Sequence, residues 1–259
     1  MRTKLRQCRE VPTRKSSTPN PLRRRGLRPA RRRSEHRGSA PGWWLGWSTL
    51  RSTVLTGIIL AAGDSTRMGS PKALLTTFDD RIFVARIVRT WHAADVHDIV
   101  VVTGRDHDAI AAGLARDAPT PFPLIVQNVD PSRGQLSSLL VGFDAVVRDS
   151  TTGVLMTLVD VPLARDETVR AVIEAWRRSR APIVRPAIGD RHGHPVLFDR
   201  AVFEELRDAP ANVGAKAVVR AHEHEIVNVQ VSDEGCVVDI DTPLDYERYL
   251  KRNLTPPQN

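Results

Sequence analysis

Short apolar runs rich in β-branched residues alternate along this chain with longer stretches whose apolar residues recur at helical spacing. The short runs are typical of strands buried on both faces, and they occupy residues 54–61, 99–103, 123–127 and 153–159. The longer stretches predict helices at residues 82–96, 106–116, 135–147 and 166–178. Since neighbouring parallel strands need a helical crossover between them, this alternation predicts an α/β fold with a largely parallel sheet.

The alternation becomes less regular after residue 181. We expect strands at residues 182–185, 194–198 and 226–231 and a short strand at 236–240. Further helices are expected at residues 201–206, 214–221 and 243–252. The sequence has no internal repeat, so we predict one domain over residues 54–252 and a short tail at residues 253–259.

The first 53 residues differ from the rest in charge. They hold 15 of the 38 lysines and arginines but only two acids, Glu10 and Glu35, which leaves 23 basic and 28 acidic side chains after residue 53. The net charge of +8 therefore comes from this segment, which we expect to be disordered because it has few apolar residues. It is open whether it binds nucleic acid or an anionic membrane, is a transit peptide, or precedes a translation start near Val54.

The cysteine content and the lengths of the apolar runs bound the class of protein. The two cysteines are Cys8 and Cys236, so the predicted domain has no internal disulfide and no cysteine-rich zinc site. No apolar run reaches the roughly 18 residues of a membrane helix. We expect a cytoplasmic protein whose folded domain binds neither nucleic acid nor a membrane.

The first predicted strand ends in a polar loop within LAAGDSTRMGSPK, residues 60–72. Gly63 and Gly69 permit close approaches and backbone conformations that a side chain would block, while Arg67 and Lys72 add positive charge, and both properties suit a bound phosphate. The spacing differs from the Walker A loop and from G-x-G-x-x-G. The alternative is a surface connection whose two cations are solvated.

Aspartates follow two of the predicted strands. Asp160 directly follows the strand at 153–159, at the edge where ligands gather in open parallel sheets. It is a candidate Mg²⁺ ligand or a cap for the next helix, a role for which Asp166 competes. Alternation along the short strand at 236–240 places Asp239 and Asp241 on one face, and Asp241 is also placed to cap the last helix.

Two further groups of polar residues are candidates for ligand contacts. Asn128 ends the third strand, and residues 133–138 open the next helix with hydroxyls and unpaired N–H groups that suit a base or ribose, or that cap the helix. The pairs His192/His194 and His222/His224 have no third type of metal ligand beside them, so we expect surface residues rather than a zinc site. His194 is the histidine that we place nearest substrate.

Five motifs together resemble the MobA-like nucleotidyltransferases, and within them the molybdenum cofactor cytidylyltransferases. The motifs are LAAG-x-S-x-RMG-x-PK at 60–72, R-GQLSSLLVGF at 133–143, VDVP at 159–162, GHPVLFDR at 193–200 and DIDTPLDY at 239–246. The resemblance covers residues 54–252 and leaves the first 53 unexplained. It implies a Rossmann-like, three-layer α/β/α nucleotidyltransferase fold with a mostly parallel, mixed sheet.

The resemblance also implies roles for individual residues. Lys72 and Arg67 would hold the triphosphate, Asp160 and Asp241 would hold Mg²⁺, and His194 would contact the acceptor. Lys72, Arg67 and Asp160 are thereby the candidate catalytic residues. The remaining candidate nucleotide-binding residues are Leu60, Ala61, Ala62, Gly63, Asn128, Gln135 and Ser137.

The implied reaction is Mg²⁺-dependent transfer of a nucleotide, expected to be CMP from CTP, to molybdopterin with release of pyrophosphate. Ala62 supports CTP, because related guanylyltransferases tend to have LAGG where this chain has LAAG. Val159 and Leu244 depart from the family's G-D-x-P and P-E-D motifs, which leaves the acceptor open. The alternatives are another NTP, such as GTP, a sugar-phosphate acceptor, or a non-catalytic protein that delivers the cofactor to a molybdoenzyme.

Overall fold

The structure, a computed structural model, describes residues 54–254, with side chains described up to residue 249. Its strands are β1 Val54–Ala61, β2 Ile99–Thr103, β3 Leu124–Gln127, β4 Thr151–Leu158, β5 Ile183–Ile188, β6 Arg191–His192, β7 Val196–Asp199 and β8 Val227–Gln230. Its helices are α1 Phe83–Ala93, α2 His107–Asp117, α3 Gln135–Val146, α4 Asp166–Ser179, α5 Phe203–Asp208, α6 Lys216–Ala221 and α7 Pro243–Leu254. The expectations for residues 1–53 lie outside the described residues.

The strands form one mixed sheet with the order β3-β2-β1-β4-β7-β5-β6, and β8 pairs with β5. β1 runs parallel to β2 and β4, β2 runs parallel to β3, and β5 runs parallel to β8. β7 is antiparallel to both β4 and β5. The prediction of a mostly parallel sheet is confirmed, and its four parallel partners β3, β2, β1 and β4 direct their carboxyl ends toward one edge.

Alternate residues of the central strand β1 point into two separate hydrophobic cores. Ile59 packs on the side that holds α1, α2, α4 and α7, whereas Ile58 and Leu60 pack on the side that holds α3, α5 and α6. Trp91 and Trp176 are both fully buried in the first core, and burial of each side chain contributes about 2–3 kcal/mol to the free energy of unfolding. The domain is therefore a three-layer α/β/α structure, as predicted.

The predicted short strand at 236–240 is wrong. Glu234–Val237 forms a 3₁₀ turn, and residues 238–241 have no regular structure. The Asp233 carboxylate starts the turn by accepting a hydrogen bond from Gly235 N at 3.1 Å. Asp241 consequently reaches its position from an irregular segment, and not through the alternation of a strand.

Neither of the two candidate metal ligands caps a helix. The start of α4 is tied to a distant loop by Asp233, whose carboxylate accepts hydrogen bonds from Arg165 N at 2.7 Å and Thr168 Oγ1 at 2.8 Å. α7 begins with a reciprocal pair, in which Thr242 N donates to Asp245 Oδ2 and Asp245 N donates to Thr242 Oγ1. The carboxylates of Asp160 and Asp241 are therefore available for other contacts.

Within the part of the chain that the structure describes, every helix is too short or too polar to cross a bilayer.

Candidate active site

A cavity of about 320 Å³ opens at the carboxyl ends of β1 and β4. Ligand sites of open parallel sheets lie at this edge because the chain connections leave a crevice there. Of the candidate site residues predicted from the sequence, the cavity wall contains Leu60, Ala61, Ala62, Gly63, Arg67, Lys72, Gln135, Asp160 and Asp241. Four segments far apart in the sequence therefore meet at one site.

The loop after β1 turns back toward the sheet. Met68 N donates to the Ser65 carbonyl at 2.9 Å, and Lys72 N donates to Ser65 Oγ at 3.0 Å. Gly69 has a φ of 69°, a left-handed conformation that strains other residues. These bonds place the side chains of Arg67 and Lys72 over the carboxyl ends of the strands.

Lys72 lies between two carboxylates at the base of the cavity. Its Nζ donates to Asp160 Oδ2 at 3.1 Å and to Asp241 Oδ1. Arg67 Nη2 pairs with the other oxygen of Asp241, Oδ2, at 2.8 Å. The Lys72 side chain is only 11% exposed, whereas that of Arg67 is 66% exposed, so Lys72 forms the better shielded ion pair.

Asp241 in the cavity wall and Asp239 outside it experience different electrostatic environments. The hydrogen bond from Lys72 holds the pKa of Asp241 below its usual value, and the contact with Arg67 adds to this effect. Partial burial, and then the charges of Asp160 and Asp241, raise the pKa of Asp239. Asp241 therefore stays ionised to lower pH than an ordinary aspartate.

The carboxylates of Asp160 and Asp241 fit a divalent cation. Both already contact one cationic group, Lys72 Nζ, and Asp160 Oδ1 is a buried oxygen without a hydrogen-bond partner among the described residues. Hard cations such as Mg²⁺ prefer these oxygens and fill their other positions with water and substrate phosphates. No group of three or more His, Cys, Asp or Glu side chains within residues 54–249 is arranged to hold a metal, so water and substrate phosphates would have to complete the coordination.

The start of α3 forms a further part of the cavity wall. The Asn128 amide is buried and donates to Ser137 Oγ and Ser138 Oγ, at 2.9 Å each. Ser137 Oγ in turn donates to the Gly134 carbonyl at 2.7 Å. Gln135 and Ser138 line the cavity, whereas Asn128 and Ser137 do not and instead hold the start of the helix in place.

The four histidines predicted in pairs have separate surroundings. His194 is partly buried, its Nδ1 is buried without a hydrogen-bond partner among the described residues, and burial lowers its pKa. It does not line the cavity, although Asp160 is near enough to affect its pKa. His192 is exposed, and His222 contacts Glu205 and Glu225. Neither pair converges on a shared metal position.

Several residues of the cavity wall are absent from the predicted set. Asp106 and Ile110 come from the end of β2 and the start of α2, and Ser65 and Thr66 come from the loop after β1. Asp106 could have been found from its position after a central strand, by the argument that identified Asp160. Gly134 lies within the segment 133–138 that the sequence analysis singled out, whereas Pro131 offered no comparable signal.

Gly63 provides a test of whether the cavity is a nucleotide site. A Cβ at this position would meet no atom within 4 Å, and the residue does not require a positive φ. We expect Gly63→Ala to leave the free energy of unfolding within about 0.5 kcal/mol of wild type. Because Gly63 lines the cavity, we expect the added methyl group to raise the KM for the nucleotide by roughly tenfold. Steady-state kinetics and urea unfolding measure the two effects.

The control for this variant is Asp64→Ala in the same loop. Asp64 pairs with the exposed Arg105 at 3.1 Å and does not line the cavity. An equal rise in KM for both variants would indicate a general change in the loop. An unchanged KM in Gly63→Ala would show that the nucleotide does not contact this part of the wall.

A mostly parallel α/β domain with cations and carboxylates at the carboxyl ends of its strands has the features of the nucleotide-binding class of α/β proteins. The chain belongs to a nucleotidyltransferase family within this class, since the model of the MobA-like NTP transferase domain matches residues 57–226. Nicotine blue oxidoreductase from Paenarthrobacter nicotinovorans is 32% identical over 195 residues, which cover 73% of this chain and 92% of that protein.

Solved structures are similar to this chain over about three quarters of its length. Rv0371c from Mycobacterium tuberculosis H37Rv is 30% identical with a TM-score of 0.64, and the match covers 77% of this chain and 99% of that one. A complex of Rv0371c with manganese has also been solved, and it matches with 27% identity and a TM-score of 0.61 over the same shares of the two chains. Molybdopterin-guanine dinucleotide biosynthesis protein A from Archaeoglobus fulgidus, at 14% identity, a TM-score of 0.58 and coverage of 77% of this chain and 98% of that one, shares the fold.

Proposed function

We propose that residues 54–252 catalyse the transfer of CMP from CTP to molybdopterin, with release of pyrophosphate. The observation that carries this proposal is the convergence of Lys72, Asp160 and Asp241 at a cavity whose wall begins at the end of β1. Cations and a carboxylate pair at such a position suit a nucleoside triphosphate and a divalent cation. The product would pass to a molybdoenzyme.

The proposed reaction needs positioning and charge neutralisation and no covalent intermediate. A phosphate oxygen of the acceptor attacks the α-phosphorus of CTP, a new P–O bond forms, and the bond between the α-phosphorus and its bridging oxygen to the β-phosphate breaks. Pyrophosphate leaves with the bonding electron pair. Lys72 and Arg67 hold the β- and γ-phosphates, and their positive charges stabilise the pyrophosphate as it forms.

Mg²⁺ is the proposed metal. Asp160 and Asp241 would hold it, and when bound it supplies neutralisation of the phosphate charge. Asp160 follows a buried strand and presents one buried oxygen that has no hydrogen-bond partner within residues 54–249, so little rearrangement of the backbone is needed. The manganese complex of Rv0371c is a precedent for a divalent cation on a related chain.

The identity of the nucleotide rests on the end of β1. Ala62 is buried and lines the cavity together with Leu60 and Ala61. In the proposed complex this backbone contacts the base, and the methyl group at position 62 favours the smaller cytosine over guanine. GTP and other NTPs, and a sugar-phosphate acceptor, are the alternatives within the same reaction class.

A second candidate function comes from the relative that is an oxidoreductase. Nicotine blue oxidoreductase matches this chain over 92% of its own length, so an oxidoreductase reaction is a specific alternative. A nicotinamide dinucleotide would place its pyrophosphate on the same cations, Lys72 and Arg67.

A protein that only delivers the molybdenum cofactor to a molybdoenzyme would need neither Asp160 nor Lys72 for its function.

A binding and turnover panel separates these candidates. The full-length protein is titrated with CTP, GTP, ATP, UTP, NADH and NADPH in the presence of Mg²⁺, and oxidation of NADPH is followed with nicotine blue. We expect CTP to bind most tightly and NADPH to stay reduced. Preferential binding and oxidation of a reduced nicotinamide dinucleotide would replace the transferase proposal with the oxidoreductase.

A further inference from the structure

The ammonium group of Lys72 occupies the place between the two carboxylates that we assign to the divalent cation. Lys72 Nζ lies 3.1 Å from Asp160 Oδ2 and also contacts Asp241 Oδ1. Arg67 Nη2 forms an ion pair with Asp241 Oδ2 at 2.8 Å. In the free protein, three of the four oxygens of these carboxylates are therefore already paired with positive side chains.

We propose that Lys72 is an exchangeable internal counter-ion, which holds Asp160 and Asp241 in the free protein and moves to the triphosphate when metal and nucleotide bind. This inference rests on the proposed function. It predicts that the free protein binds divalent cations weakly. It also predicts that metal and nucleotide bind cooperatively, each tightening the other by the same factor.

Charge repulsion is the physical reason for this coupling. A divalent cation on Asp160 and Asp241 would lie within a few ångströms of Lys72 Nζ, where two positive charges repel strongly, because the site is largely shielded from water. The phosphates of a nucleotide give Lys72 a new partner and remove the repulsion. Arg67 is mostly exposed and can leave Asp241 at a small cost.

Two substitutions at Lys72 separate its charge from its packing. Lys72→Met keeps an unbranched apolar side chain of similar length without the charge, and Lys72→Arg keeps the charge. We expect Lys72→Met to bind Mn²⁺ without nucleotide about tenfold more tightly than wild type, and CTP about tenfold more weakly. Lys72→Arg should bind Mn²⁺ as weakly as wild type.

The measurement is the free Mn²⁺ concentration, followed by electron paramagnetic resonance during titration of the full-length protein with and without CTP and without any acceptor. In wild type we expect CTP to tighten Mn²⁺ binding by about tenfold or more, and in Lys72→Met we expect most of this coupling to be lost. Arg191→Met is the matched control, because Arg191 pairs with Glu234 at 2.8 Å on the exposed surface away from the cavity. Circular dichroism verifies that each variant is folded.

The outcomes distinguish this inference from the proposed function. If Lys72→Met binds Mn²⁺ in the absence of CTP no more tightly than wild type does, the proposal that Lys72 is an internal counter-ion is wrong. Tighter Mn²⁺ binding by Lys72→Met supports the counter-ion role of Lys72, whether or not the protein turns over an acceptor. If the wild-type protein binds Mn²⁺ but no nucleotide, the proposed function is wrong, and so is the proposed movement of Lys72 from the carboxylates to the triphosphate.

Discussion

Asp160→Asn is expected to lower kcat for nucleotide transfer by at least about 100-fold while the protein remains folded. The substitution preserves the shape of the side chain but removes the charge that contacts Lys72 and that would hold the metal. Asp160 caps no helix, and Asp160 Oδ1 makes no hydrogen bond within the described residues, so few structural contacts are lost. Pyrophosphate release and thermal unfolding measure the two effects.

The control for Asp160→Asn is Asp144→Asn. Asp144 lies on α3 with a side chain that is 69% exposed, and it pairs with Arg207 at 2.8 Å outside the cavity. This variant should retain the activity of wild type. Activity of Asp160→Asn within about threefold of wild type, with Mg²⁺ present, would exclude Asp160 from the proposed role.

Gly193→Ala is expected to destabilise the domain by about 2–3 kcal/mol. A Cβ at Gly193 would lie 2.2 Å from the Cys236 carbonyl oxygen and 2.8 Å from the Cys236 carbonyl carbon. The same close approach carries a hydrogen bond from His194 N to the Cys236 carbonyl at 2.8 Å. Since these atoms belong to the backbone, relief of the clash requires the two segments to separate.

Urea unfolding measures this effect, and Gly63→Ala is the comparison because that glycine has open space around it. For a domain of this size the loss corresponds to a lower Tm by roughly 5–10 °C. A change below about 0.5 kcal/mol would show that the segments at residues 193 and 236 can move apart at little cost.

The central strands could be predicted because burial on both faces leaves a clear pattern. The predictions for residues 54–61 and 99–103 match β1 and β2 residue for residue. The apolar residues around Cys236 suggested a strand, but Gly235 lies against the Leu163 backbone and the segment turns instead. Such a contact between distant segments has no local signal in the sequence.

The position of the site could be predicted for a similar reason. Gly63 and Asp160 follow strands that run parallel, and parallel neighbours end at one edge, so proximity follows from the fold class. Asp241 was placed through an incorrect strand, yet it reaches the cavity because Ile240 N donates to the Asp160 carbonyl at 2.8 Å. The contact of Asp233 with the start of α4 could not be predicted, since its partners are 65 or more residues away in the chain.

The most direct test of the central proposal is pyrophosphate release by the full-length protein with Mg²⁺ and molybdopterin, measured separately with CTP, GTP, ATP and UTP. We predict pyrophosphate with CTP, formed in equal amount to a product that contains CMP, and much less with the other nucleotides. Release of pyrophosphate with a different nucleotide would show that the preference for CTP assigned to Ala62 is wrong. Absence of pyrophosphate with every nucleotide, from a folded protein and with active molybdopterin, would contradict the proposed transferase.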